Sequence, residues 1–154
     1  MTGGTTGTGG QAAGGLPPSP TATAADGGYR YTYALAEGYA INLGAHDPDH
    51  QRTTGEWTTQ NFAWSGKDAN GEDYLGIKGF PDSVTLLAPG ADSSHQACRN
   101  SPRANGDPSA GGLGAGKRFC VFPGGFDALV TVVSNTATPG GSGGVLTLDV
   151  VVWE

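Results

Sequence analysis

Five consecutive residues, His46-Asp47-Pro48-Asp49-His50, hold the densest set of possible metal ligands and proton carriers in the chain. Two imidazoles and two carboxylates at this spacing suit a divalent ion. They also suit a solvated turn, since Asp on either side of Pro captures nearby backbone groups. The turn is the reading adopted. No metal is assigned, and His46, Asp47, Asp49 and His50 are kept as ligand-binding candidates. Gly111 to Lys117, GGLGAGK, has the spacing of a phosphate loop. Its next residue, Arg118, offers no hydroxyl to Mg²⁺, and a strand-like run follows where a helix N-terminus is needed. Gly140 to Gly144 matches G-x-S-x-G but stands in a loop ahead of a strand. All three histidines precede it, which breaks the hydrolase order Ser, acid, His. Asp68, Asn70 and Asp73 resemble part of a calcium loop without its terminal Glu, and Asn70-Gly71 is a hairpin-turn signal in its own right. The chain therefore reads as a non-enzyme without a cofactor. Among the aromatics, Trp57 and Trp64, with Tyr31 and Tyr74, are candidates for stacking on sugar rings. The competing expectation is that Trp64 and Phe62 fill the core.

The elements that must position these residues are short strands. Tyr29 to Leu35 places Tyr29, Tyr31, Tyr33 and Leu35 on one face, a period of two. Tyr39 to Leu43, Glu56 to Trp64, Asp73 to Lys78 and Ser83 to Ala88 are further runs. Lys117 to Phe122, Ala128 to Ser134 and Val145 to Trp153 are the strongest, rich in Val, Leu and Phe. On the last of these, alternation puts Trp153 on the face of Val145, Thr147 and Asp149. No window shows capped 3.6-residue periodicity. The expected fold is all-β: an antiparallel β-sandwich or jelly-roll-like domain of about eight strands. Pattern alone leaves sandwich and closed barrel open. Pro89 to Gly116 shows no element of its own, and a loop of that length is commonly functional or covalently pinned.

Composition divides the chain. Residues 1–28 carry one charge, Asp26, and little apolar surface besides Leu16. They read as a flexible Gly/Thr/Pro-rich linker or stalk ahead of a domain at 29–154. Linker sequence directly after Met1 suggests a domain excised from a larger protein. Across the chain, 28 Gly and 10 Pro make about a quarter of 154 residues, while charged residues make 14%. That is too little charge for disorder by repulsion. The net charge of −6 disfavours nucleic acid and anionic membrane surfaces as partners, and no apolar run is long enough to insert in a bilayer. Cys98 lies in the long polar segment and Cys120 in a strand run. Their even number, this loop-to-strand placement and the scarcity of lysine favour one disulfide and an oxidising compartment. Two reduced thiols are the alternative.

The second half of the chain resembles a known family. Gln96-Ala97-Cys98-Arg99, then Gly116-Lys117-Arg118-Phe119-Cys120-Val121, then Ala128-Leu129-Val130-Thr131-Val132, and the closing Leu146 to Trp153 run resemble the extracellular C-terminal domains of actinobacterial membrane-anchored serine/threonine kinases and related secreted proteins. Gly38 to Leu43, ahead of the acidic His/Pro loop, is similar as well. The resemblance spans about 29–154. It implies an extracellular or cell-surface β domain with a Cys98–Cys120 bridge behind a stalk, and it carries no catalytic residue to map. The functional expectation is a non-catalytic, sensor-like domain binding an extracellular ligand, glycan or protein. A carbohydrate-binding module using exposed aromatics and a structural or assembly protein are the alternatives.

Overall fold

The computed structural model describes residues 22–23, 27–44, 52–53 and 61–154. Within them are eight strands of three residues or more, two two-residue strands and one short helix: β1 (Ala22–Thr23), β2 (Tyr29–Ala36), β3 (Tyr39–Ile41), β4 (Arg52–Thr53), β5 (Phe62–Lys67), β6 (Asp73–Ile77), β7 (Val84–Leu87), α1 (His95–Asn100), β8 (Arg118–Val121), β9 (Asp127–Asn135) and β10 (Val145–Trp153). They form a six-stranded sheet, β1-β2-β10-β9-β8-β7, and a four-stranded sheet, β4-β3-β5-β6. Every pairing is antiparallel.

Alternation explains how the sheets face one another. On β2, Tyr31, Tyr33 and Leu35 are buried while Arg30, Thr32 and Ala34 are exposed. On β10, Leu146, Leu148, Val150 and Val152 are fully buried. They meet Ile41, Phe62, Trp64 and Ile77 of the smaller sheet in one core. The rings of Phe62 and Phe119, one from each sheet, stack with centroids 6.2 Å apart. The molecule is thus a two-sheet sandwich. Burying these aliphatic and aromatic faces supplies the main driving force, at roughly 25 cal/mol per Å² of apolar surface.

Several boundaries differ from the sequence expectation. Ala22–Thr23, assigned by composition to the linker, pairs with Arg30 and Tyr29 at the edge of the larger sheet. Gly28 is also part of the domain. A Cβ there would lie 2.6 Å from the Trp153 ring, so only glycine lets the chain pass. Apart from Gly27, the rest of the proposed 1–28 linker lies outside the described residues. The third strand runs Phe62–Lys67 rather than ending at Trp64, because a bulge between Trp64 and Lys67 carries it on. Gly66 takes φ +90° in that bulge, and a Cβ there would strike the Glu37 carboxylate. Residues 56–60 of the expected strand are outside the described set.

One buried carboxylate ties the two sheets together. The Asp73 side chain, at the start of β6, is 0% exposed. It accepts hydrogen bonds from Trp64 Nε1 at 2.7 Å, Lys67 Nζ at 2.7 Å, the Leu113 amide at 2.7 Å and Asn135 Nδ2 at 3.2 Å. Trp64 and Lys67 belong to the smaller sheet, Asn135 ends β9 of the larger one, and Leu113 anchors the long segment between α1 and β8. Burial alone would raise the Asp73 pKa. The donors from Lys67, Trp64, Leu113 and Asn135 outweigh it and hold the carboxyl below its ordinary value. Asp73 therefore contributes its full stabilisation above the unfolded-state value of about 3.9, and the contribution is lost as pH falls from there through the folded-state value. We expect Asp73→Asn to cost about 3 kcal/mol and lower the neutral-pH Tm by about 10 °C. The fall in wild-type Tm below pH 4 should be correspondingly shallower in the variant, as followed by circular dichroism melts from pH 2 to pH 7. Equal Tm for the two proteins at pH 7 would contradict the role given to this group.

Candidate functional site

The outer face of the six-stranded sheet is covered only in part, and the boundary of that cover makes the site. Register fixes which outward side chains are neighbours. One row across the strands runs Thr32, Asp149, Thr131, Arg118, from β2 through β10 and β9 to β8. The next row runs Arg30, Val151, Leu129, Cys120. Beyond it Trp153 pairs with Asp127. The second and third rows are apolar enough to need a lid. Leu87, Cys98, Cys120, Leu129, Val151 and Trp153 form a second core beneath α1, separate from the one between the sheets.

The lid is a six-residue helix, far too short to be stable alone, so its stability comes from its attachments. Ser94 caps it, accepting from the Ala97 amide at 3.1 Å. Asp92 takes the Ser94 hydroxyl at 2.9 Å and its amide at 3.2 Å. The His95 ring stacks on Trp153 with centroids 4.6 Å apart. Asp127 contacts His95 Nε2 at 2.7 Å and Arg99 Nε at 3.2 Å. Cys98 is disulfide-bonded to Cys120 on β8, which realises the bridge expected from cysteine placement. The helix departs from the sequence expectation, in which Pro89 to Gly116 shows no element of its own.

Between the lid's leading segment and the open half of the sheet lies a groove of about 460 Å³. Leu129, Thr131 and Val151 form its floor, Asp92 to Ser94 one wall, and Arg30, Arg118 and Asp149 the charged rim. Arg30 grips Asp149 from the diagonal position, Nε to Oδ1 at 3.0 Å and Nη2 to Oδ2 at 2.6 Å, and this pairing raises the Arg30 pKa. Arg118 Nη2 donates to the carbonyls of Ala88 at 3.1 Å and Ala91 at 2.7 Å, fixing the wall to the sheet. The neighbouring edge of the sheet is closed. Asn105 accepts from the Leu86 amide at 2.6 Å and donates to its carbonyl at 3.1 Å, satisfying β7 as a further strand would.

The candidates named from sequence fare differently. His46, Asp47, Asp49, His50 and Trp57 lie outside the described residues. Trp64 is 0% exposed. Its inward position and its indole bond to Asp73 remove it as a surface sugar platform, which corrects the version of a carbohydrate-binding module built on Trp57 and Trp64 together. Tyr31 is likewise buried, its hydroxyl donating to the Leu43 carbonyl, while Tyr74 is 61% exposed on the smaller sheet. Lys117 of the glycine-rich run donates to the carbonyls of Ala110 and Gly112 within its own loop, and β8, not a helix, follows. Asp68 caps the Asn70-Gly71 turn through the Asn70 and Glu72 amides. Among the described residues no group of three or more His, Cys, Asp or Glu is placed to hold a metal ion, and no helix is long and apolar enough to cross a membrane. A second hollow, of about 310 Å³, lies by Asn42, Asn61, Lys78 and Phe126. There Asn61 spends its amide group on Asn42 and the Leu43 backbone.

Arg30, Arg118, Thr131 and Asp149 were missed from sequence. Alternation would have set each on an outward face, but only register brings four separate strands into two adjacent rows. Comparison with protein families, curated proteins and solved structures finds no match.

The lid analysis makes a direct prediction. The bridge spans a sequence separation of 22, for which the loop-closure model gives about 3 kcal/mol. Cys98→Ala combined with Cys120→Ala should lower the Tm by several degrees and raise amide exchange first within His95–Asn100. An unchanged Tm together with unchanged exchange would show that the staple does not hold the lid.

Proposed function

We propose that this chain is a non-catalytic, extracellular ligand- or partner-binding domain, sensor-like in character, whose contact surface is the groove on the outer face of the six-stranded sheet. The observation that carries this reading is the groove's construction. An apolar floor is framed by fixed, opposite charges, and its wall is anchored by Arg118 and continues into a helix held by the disulfide. Such a surface loses little freedom on binding, which favours affinity. A buried disulfide supports an oxidising compartment. The resemblance to extracellular domains of actinobacterial membrane-anchored kinases supports the same location and role.

The test presents the folded domain to arrays of glycans and of peptides, then remeasures each ligand with two variants. Thr131→Arg fills the groove from a half-buried outward position. Tyr74→Ser alters an exposed aromatic on the opposite sheet. Thr131→Arg should weaken binding at least tenfold, about 1.4 kcal/mol, with a Tm close to wild type, and Tyr74→Ser should leave it unchanged. A ligand lost with Tyr74→Ser and kept with Thr131→Arg would place the contact surface elsewhere.

A further inference from the structure

Resting on that reading, we infer that the groove's ligand is a neutral, linear carbohydrate laid along the row Thr32–Asp149–Thr131–Arg118, of which Asp149, Thr131 and Arg118 line the groove and Thr32 continues the row beyond it on β2. The row crosses four adjacent strands, so three inter-strand steps give it a length of about 14 Å, close to that of three linked pyranose rings. Its side chains alternate hydroxyl and ionised groups, and they keep spare hydrogen-bonding capacity. Among the described residues, nothing takes the hydroxyl of Thr32 or Thr131. The Arg118 bonds to Ala88 and Ala91 both use Nη2, which leaves Nε and Nη1 as donors. Asp149 is held by Arg30 along one edge, yet each carboxylate oxygen has a further lone pair to offer. Fixed donors and acceptors a strand spacing apart match the repeating hydroxyls of a sugar chain.

Charge and apolar area argue against the other occupants. The rim holds Arg30 and Arg118 against Asp92 and Asp149, so the groove is electrically balanced and gives no steering to a polyanion or polycation. A protein interface is anchored by large aromatic or aliphatic side chains at its centre. Among the described residues, the exposed large hydrophobics are Tyr39, Tyr74, Phe80 and Val133, and none of them lines this groove. The apolar side chains that line it, Leu129, Val151 and Trp153, are buried in the core beneath the lid, so the groove presents mainly its polar row to a ligand.

The experiment titrates the isotope-labelled full chain with neutral oligosaccharides of one to six units, derived from glucan, mannan, xylan and galactan, followed by NMR. At least one series should shift the resonances of Thr32, Thr131 and Asp149, with affinity rising up to the trisaccharide and levelling beyond it. Thr131→Val and Thr32→Val keep side-chain shape and remove a hydroxyl. Each should weaken that binding three- to tenfold without lowering the Tm. Absence of shifts in every series up to about 10 mM, the weak end of useful affinity, would overturn the carbohydrate assignment. A peptide ligand abolished by Thr131→Arg would also overturn it, while leaving the groove as the contact surface. Sugar binding indifferent to Thr131→Arg would overturn the groove itself.

Discussion

The Asp73 carboxylate is the point at which the two sheets, the β5–β6 hairpin and the long segment before β8 are joined. Taking a charge out of water costs several kcal/mol unless donors replace the lost hydration. Here the replacement comes from a lysine ammonium, an indole, a backbone amide and a side-chain amide. Trp64 and Lys67 come from the same hairpin as Asp73, but Leu113 and Asn135 lie 40 and 62 positions away and reach it only when both sheets are correctly packed. The arrangement therefore favours one relative placement of the sheets over others that would bury similar apolar area. It also explains why Trp64, a large aromatic within β5, faces inward: its N–H has a partner there and would lose it at the surface.

The same economy shapes the outer face. A sheet with apolar rows on both sides needs two covers. The smaller sheet covers one side. On the other, a helix of six residues covers only the rows of Val151, Leu129, Cys120 and Trp153. Where that cover ends, the next row turns polar: Thr32, Asp149, Thr131, Arg118. The groove is the step between covered and uncovered sheet. Its shape follows from how far a stapled helix can reach, and its chemistry from the residues that alternation leaves in water.

Much of the sandwich was legible in the sequence because its strongest strands obey a period of two without interruption. Val145–Trp153 matches its expected bounds, and β2 shows the expected inward Tyr31, Tyr33 and Leu35. The Asn70-Gly71 turn was equally plain, with Gly71 at φ +84°. Four features escaped, each for a physical reason. Helix α1 has too few turns to display a periodicity, and its stability comes from Cys98, His95 and Ser94 rather than from helix propensity. Strand β1 is two residues of linker-like composition that gain order only by pairing with β2. The groove depends on β2 lying beside β10, a pairing between residues more than a hundred positions apart, which local pattern does not encode. Asp73 opens the expected strand run Asp73 to Lys78, but its role as an inward-facing acceptor appears only with Leu113 and Asn135 in place.

A titration of the Asp73 side-chain carbon by NMR tests the joining role of this carboxylate most directly. The account predicts a midpoint below the ordinary aspartate value of about 3.9, with the Trp64 indole and Leu113 amide protons shifting at that same midpoint. A midpoint at or above the ordinary value, with those two protons indifferent to it, would contradict the account.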